Sequence, residues 1–470
     1  CRAEGYPVLI DIGHAHAKVD EEIAGVPVLE PANNGQFVGK MTFTLKESGG
    51  KWSLEEDKTT SELLDCSAVA PDAAFMEQMK DLHEKSLALA SKEVGEVAEP
   101  FMDPVYVLPG IPAAIIQDNP ITDLVNIVQM QESGADVSLA ALFTEDSNLE
   151  KGPFLHRDSV KIYKYDNTLF AVKVTGKQLK AIMEQQAGNF FNQYQPGDVT
   201  ISFNPDIRMY NYDMFAGVNY EIDISKPAGE RIENVTFQGK PLTDDMTLTL
   251  CVNDYRYTGL KNEGIISGEK EWESSASVRD MLVAYLAEHD PLEPAVDHNW
   301  KITGVDLQKD NPDRATLIEL VNTGRLESPY SQSLNLDTYS EVLGMVDNVK
   351  VSDLDKTGTA ASFVGADGAP YFRMRDLAYT FNGSKNQFNV SWADGKVAIT
   401  TSTAYDGELF PLPVRIPAAV QEQIPADITV SVDGTDITVP AILFDGHYYL
   451  TVDGMNALLG TNATIQEKAA

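Results

Sequence analysis

Two histidines stand one residue apart, His14 and His16, directly after Gly13. Imidazole is a common ligand of transition metals, and two rings leaving a strand for a loop can offer their nitrogens to one metal centre. The plainer reading of the same spacing is a pair of packed or solvated rings. Further along, Tyr210, Tyr212, Phe215 and Tyr220 surround Asp213, and Asn253-Asp254-Tyr255-Arg256 sets a phenol beside a guanidinium. An exposed aromatic can stack on a nucleobase, and a guanidinium can grip phosphate with two hydrogen bonds. Periodicity alone reads these tyrosines as an aromatic core stripe. His83, His156, His289, His298 and His447 are isolated, and no GxGxxG, P-loop, GxSxG or CxxC pattern occurs. Acidic pairs such as Glu21-Glu22, Glu55-Glu56 and Asp244-Asp245 read as solvated turns.

Strands and turns must position the histidine pair. Residues 6–12, 26–29 and 36–46 carry strand-like patterns, with Asn33-Asn34-Gly35 as a tight turn between the last two. Gly13 would let the backbone turn sharply so that both rings face one cavity. Residues 71–95 change to a helical period, with Pro71 near the first turn. A helix capped at Thr122-Asp123 should run to about Gln131 and end at Gly134, and further helices fit 176–186 and 277–288. Strands fit 137–143, 160–165, 168–174, 199–203, 219–224, 233–237 and 246–253. Strands and helices are more segregated than in βαβ repetition, so the chain reads as multidomain α+β. From about residue 331 an echo appears: Tyr371-Phe372-Arg373-Met374-Arg375-Asp376-Leu377 is answered by Tyr448-Tyr449-Leu450-Thr451-Val452-Asp453-Gly454. Each run reads as a strand entering a short helix with its aspartate at the N-cap. The proline-rich 406–425 stretch would be a hinge between two lobes.

With 470 residues, the length suits about three domains. The formal charge of −35, from 36 basic and 71 acidic residues, disfavours nucleic-acid polymers and anionic membranes as partners. No apolar run reaches the roughly 18 residues of a membrane span. Cys1, Cys66 and Cys251 are too few and too scattered for a disulfide framework or a zinc knuckle. Cys1 at the first position invites a lipoprotein reading, but a structured strand follows where a polar tether would be needed. We read it as an internal start within a domain.

Gly13-His14-Ala15-His16, then Gly25-Val26-Pro27-Val28-Leu29-Glu30-Pro31 and Phe37-Val38-Gly39, resembles the closing segment of a calcineurin-like metallophosphoesterase domain. Gly134-Ala135-Asp136-Val137-Ser138-Leu139-Ala140, Tyr165-Asp166-Asn167-Thr168-Leu169, Ser202-Phe203-Asn204-Pro205, Tyr210-Asn211-Tyr212-Asp213-Met214-Phe215 and Asn253-Asp254-Tyr255-Arg256 resemble the C-terminal domain of bacterial 5'-nucleotidases and 2',3'-cyclic-nucleotide 2'-phosphodiesterases. The tail, with 371–382 and Val390-Ser391-Trp392, is similar to the small repeated domain at the N-terminus of copper amine oxidases.

The resemblance implies a metallophosphoesterase β-sandwich remnant over 1–60, a connecting helix over 61–99 and a mixed α+β substrate-binding domain over 100–330. A β-rich module would follow over 331–470, its lobes at about 337–404 and 426–465. It implies that His14 and His16 are ligands of a dinuclear divalent-metal centre of Mn, Zn, Mg or Ca. It implies substrate contacts at Tyr212, Asp213, Asn253, Tyr255, Arg256 and Gly259, with Tyr212 stacking on the base. The resemblance implies that the family's Asp-x-His, Gly-Asp, Asn-His-Glu and further His ligands, with the catalytic histidine of the Asn-His pair, would precede residue 1. The glycine-rich turn at 259–265 also lacks the second stacking aromatic. The function so implied is metal-dependent hydrolysis of 5'-nucleotides or 2',3'-cyclic nucleotides, with this chain supplying mainly the nucleoside-binding part and weak or inactive alone. The alternative is a non-catalytic surface module that binds nucleosides or cell-wall material. A secreted, extracellular or cell-wall-associated location fits both.

Overall fold

Short strand-forming runs separated by Asn and Gly turns dominate the first ninety residues, and they pair locally. The computed structural model describes residues 10–466 except 56–57, 103–107, 109–110, 145–146, 328–329, 352–355, 414 and 462. Two units emerge, Cys1–Leu89 and Ala90–Ala470. In the first, Ile10–Asp11 runs parallel to Val26–Pro31, which pairs antiparallel with Lys18–Ile23. The earlier part of the expected opening strand lies outside the described residues. Phe37–Thr42 pairs with Thr60–Asp65, and Leu45–Ser48 with Lys51–Leu54. Among the described residues of this unit only Val28, Leu29 and Glu30 are buried. The helix expected over 71–95 forms at Ala73–Ala90 and buries none of its residues.

The second unit is mixed α+β with several sheets. Its five-stranded sheet has the order Asp213–Ala216, Val137–Ala141, Thr247–Asn253, Leu169–Thr175, Lys270–Glu273. Thr247–Asn253 holds the centre because Leu248, Leu250, Cys251 and Val252 are all buried, as a strand covered on both faces requires. The helix Pro120–Ser133 packs on this sheet. Asn119, not Thr122-Asp123, caps it: the Asn119 side chain accepts from the N–H groups of Ile121 and Thr122, and Pro120 occupies the first turn. Gly134 ends the helix at φ 67°, a left-handed conformation that glycine adopts without a Cβ clash. Thr175 and Gln178 form a reciprocal cap for Gly176–Phe190. A second sheet has the order Lys240–Pro241, Ile232–Phe237, Val218–Asp223, Trp300–Thr303.

Two expected strands do not form. Over 160–165 the chain is helical at Ser159–Ile162. Asp158 accepts from the Leu155 N–H and Ser159 donates to the His156 carbonyl, local bonds that favour a turn. Over 199–203, the Val199 and Phe203 N–H groups donate to Leu334 and Tyr330 carbonyls, so this backbone is satisfied by an irregular partner rather than a ladder.

The tail builds a nine-stranded sheet in the order Phe388–Ala393, Lys396–Thr401, Ala426–Val432, Thr435–Phe444, His447–Leu450, Pro370–Arg373, Lys356–Val364, Val346–Val351, Thr464–Gln466. Strands of the two expected lobes interleave, so 406–425 joins parts of one sheet and is not a hinge between two. Each echo run is a strand entering a helix, at Met374–Thr380 and Val452–Leu459, but the caps are Arg373 and Thr451. Asp376 is instead fully buried between Arg373 (2.7 Å) and Arg325 (3.2 Å). No helix of the described residues is long and apolar enough to cross a membrane.

Cys66 and Cys251 are both free, but Cys251 is sealed in the central strand and burial pushes its thiol up to about 11. Iodoacetamide labelling followed by peptide mapping should therefore modify Cys66 in the native protein and reach Cys251 only after denaturation.

Candidate functional site

The central strand Thr247–Asn253 delivers its last residue to a helix start, and that junction builds a site. Asn253 caps helix Asp254–Asn262 by accepting from the Arg256 N–H at 2.7 Å, while its Nδ2 donates to the Tyr163 hydroxyl at 3.0 Å. Asp254 Oδ1 accepts from Asn167 Nδ2 at 2.7 Å. The first turn so fixed exposes Tyr255, 60% accessible, and turns Arg256 inward. Arg256 Nε lies 2.6 Å from Asp213 Oδ2, a close ion pair whose N–H is not aligned for a hydrogen bond. Arg256 Nη2 donates to the Tyr210 carbonyl at 3.0 Å. Burial raises the Asp213 carboxyl above its ordinary range, and the neighbouring guanidinium opposes that shift.

A cavity of about 730 Å³ opens beside this turn. Tyr255, Arg256 and Gly259 line it, together with Gln185 and Gln186 of helix Gly176–Phe190. Side-chain amides of Asn167, Asn189, Asn211 and Asn262 add to the polar wall, with Asp254, Thr258 and Glu263 beside them. A Cβ built on Gly259 would meet nothing within 4 Å, so the helix face there is open. Gln185 donates to Glu263, but its Oε1 is buried without a donor. Amides offer donors and acceptors in pairs with no net charge, which suits the edge of a heterocycle.

Of the six substrate positions expected from the sequence, Tyr255, Arg256 and Gly259 meet at this cavity. Asn253 is a helix cap. Asp213 lies beneath the wall and holds Arg256 in place. Tyr212 is a correction: its ring is 1% exposed, stacked on Phe190 at 4.5 Å and edge-on to Phe191 at 5.1 Å. Both aromatic neighbours belong to the domain core, so the ring has no open face for a base in this structure. The lining amides escaped the sequence reading; Gln185, Gln186 and Asn189, spaced along one helix, were the available signal.

In the first unit His14 and His16 are both exposed, and each holds a left-handed backbone, φ 75° and 59°. The turn therefore falls on the histidines themselves; Gly13 has an ordinary negative-φ backbone, contrary to expectation. Two non-glycine residues held this way store strain of the kind found at functional sites. Asn33 Nδ2 approaches His16 Nδ1 at 3.5 Å. Among the described residues no third His, Cys, Asp or Glu joins the pair in a cluster able to hold a metal. Two imidazoles suit a divalent ion as ligand types but do not form a dinuclear centre by themselves.

The cluster that does form is Asp118, Asp123 and Asp297, with carboxylate oxygens within 4.8 Å of one another. Burial pushes Asp123 up to about 7 and Asp118 up to about 6, the latter aided by the Asp297 charge.

Residues 105–265 match the family described as 5'-nucleotidase, C-terminal domain, and this recognition of the middle of the chain is borne out. The chain is 28% identical over 357 residues to a 2',3'-cyclic-nucleotide 2'-phosphodiesterase/3'-nucleotidase of Salmonella typhimurium, covering 63% of this chain and 54% of that protein. It is 26% identical over 323 residues to a trifunctional nucleotide phosphoesterase of Bacillus subtilis, covering 60% of this chain and 21% of that one. The chain thus spans about half the length, or less, of these curated relatives. A Staphylococcus aureus structure of a candidate 5'-nucleotidase in complex with alpha-ketoglutarate shares the fold at a TM-score of 0.51, with 23% identity and coverage of 63% and 56%.

Two outcomes follow from these ion pairs and acids. Arg256→Ala leaves the Asp213 carboxylate buried without its counter-charge and should cost about 3–5 kcal/mol in urea denaturation. Asp123 is held protonated more tightly in the fold than in the unfolded chain, whose carboxyl sits near 3.8. Stability from this group is complete below that value and is lost as pH rises through about 7. Denaturation curves of Asp123→Asn, neutral throughout, should show a flatter decline over the same window.

Proposed function

We propose that this chain acts in the hydrolysis of nucleotide phosphoesters, 5'-nucleotides or 2',3'-cyclic nucleotides, with residues 105–265 providing the nucleoside-binding domain. The observation that carries the reading is the amide-lined cavity with Tyr255 exposed at its rim, inside the segment that matches the nucleotidase domain. Tyr255 would stack on the base, the amides of Gln185, Asn189 and Asn211 would meet its polar edge, and Arg256 would keep the wall in register. His14 and His16 would serve as two ligands of a divalent-metal centre that activates water for attack on phosphorus. A secreted or cell-wall-associated setting accords with the acidic composition.

A second reading is a binding module without catalysis. It is favoured by one observation: no third metal-ligating side chain joins His14 and His16 among the described residues.

Calorimetry with adenosine tests the shared part of both readings. Wild type should bind, Tyr255→Ala should bind about tenfold more weakly, and Tyr212→Phe should bind as wild type. Absence of adenosine binding by the wild type would remove nucleoside recognition altogether. Assay of the chain alone with Mn²⁺ and 2',3'-cAMP should give no turnover above that of His14→Ala. Robust turnover abolished by that substitution would show the chain to be a complete enzyme.

A further inference from the structure

The nine-stranded sheet of the tail ends at the edge strand Phe388–Ala393, and a small notch opens there. Phe388 and Val390 are buried on the core face of this strand, and Trp392, next on the same face, is 60% exposed. An indole in core-facing register but beyond the core leaves one flat apolar surface in water. The notch beside it, about 60 Å³, has Arg373, Arg375 and His447 in its lining and no carboxylate. Arg373 is committed to Asp376 and to the Phe410 and Pro411 carbonyls. Arg375 is not. Its guanidinium rests on the Phe410 ring, 5.3 Å from the centroid, and one N–H reaches the Tyr405 hydroxyl at 3.5 Å. Among the described residues no acid pairs with it. His447 packs on the same Phe410 ring at 4.6 Å. Burial, then Arg373 and Arg375, hold its imidazole below the ordinary range against Asp376 and Asp445, so the ring is neutral at pH 7. Asp445 itself is exposed in the adjoining turn and lines none of the notch. One unpaired positive charge therefore faces the notch.

A guanidinium with free N–H groups takes a carboxylate through two parallel bonds. A space of this size holds that carboxylate and nothing bulkier, so the rest of a ligand must lie outside it, over Trp392. Ser391, His447 and Tyr448 bring polar groups to the rim with no hydrogen-bond partner among the described residues. We propose that this notch binds a sugar ring bearing a carboxylate, the chemistry of a hexuronate. The carboxylate meets Arg375, the C–H face of the ring lies on Trp392, and ring hydroxyls meet Ser391, His447 and Tyr448. A phosphate monoester brings more negative charge than one guanidinium answers, and an aromatic acid would leave the polar rim unmatched. The notch lies outside residues 105–265, so the assignment is independent of nucleoside binding.

Saturation-transfer NMR and tryptophan fluorescence on the full chain test this with D-galacturonate, D-galactose, benzoate and phosphate. Galacturonate should bind saturably. Galactose, which lacks the carboxylate, and benzoate, which lacks the hydroxyls, should each bind at least about tenfold more weakly. Arg375→Gln and Trp392→Ala should each weaken galacturonate about tenfold or more, and Tyr255→Ala should leave it unchanged. In saturating galacturonate the His447 ring should titrate at higher pH, because a bound carboxylate adds negative charge beside it, a change that a merely structural Arg375 would not produce. Should Arg375→Gln fail to fold, the exposed Trp392→Ala and the His447 titration decide. Tighter binding of trigalacturonate than of galacturonate assigns a polymer as the natural source, and equal binding assigns the free sugar. Absence of saturable galacturonate binding, galactose binding as tightly, phosphate displacing galacturonate at lower concentration than galacturonate itself needs, or full binding by Trp392→Ala would each overturn the assignment.

Discussion

The cavity beside Tyr255 exists because one buried charge pair holds its wall. Asp213 sits on the edge strand of the five-stranded sheet, and Arg256 sits in the first turn of the helix that leaves its centre. Their side chains are 3% and 13% exposed, so each charge has the other as its main compensation. A pair in that setting adds little net stability but fixes one geometry, since any displacement strands a charge in a poorly solvated place. The consequence is a first helical turn that cannot rotate, with Tyr255 held outward and the guanidinium bonded to the Tyr210 carbonyl. The stacked Phe190–Tyr212 rings continue the same support into the core.

A comparable device stabilises the tail. Arg373, Asp376 and Arg325 are all fully or almost fully buried, and Asp376 also accepts from the Ala361 N–H at 2.8 Å. Arg325 follows the helix Pro312–Asn322, whereas Arg373 and Asp376 belong to the nine-stranded module. The ion pair therefore crosses the boundary expected near residue 331. Arg373 adds bonds to the Phe410 and Pro411 carbonyls, tying down the proline-rich stretch that composition had suggested was a hinge. Proline content reports that a segment cannot join a ladder; it does not report whether side chains elsewhere hold it still.

Much of the architecture was legible because it rests on local signals. The helices at 176–190 and 278–288 begin at Thr175 and Ser277, caps that satisfy their own first N–H groups. The central strand was readable from Leu248 and Leu250 alternating with threonines and from the apolar Leu250-Cys251-Val252 that follows. What sequence could not yield was orientation. Tyr212 and Tyr255 are alike as residue types, and only the packing of Phe190 and Phe191 decides that one is sealed while the other faces solvent. Likewise the strand expected over 160–165 lost to hydrogen bonds from Asp158 and Ser159, which outweigh β-propensity in so short a run. The histidine pair was found by spacing, but the left-handed backbone at both positions was not, because such strain leaves no trace in composition.

The cavity's amides have an implication for a protein with a formal charge of −35. Coulombic attraction fades as electrolyte is added, within a Debye length of about 8 Å at physiological ionic strength. Neutral carboxamides grip by direction and distance, so mobile ions have little to neutralise. A chain whose exterior repels anions thereby keeps, beside the Asp254, Arg256 and Glu263 charges of the same cavity, a set of contacts whose strength does not depend on the surrounding electrolyte.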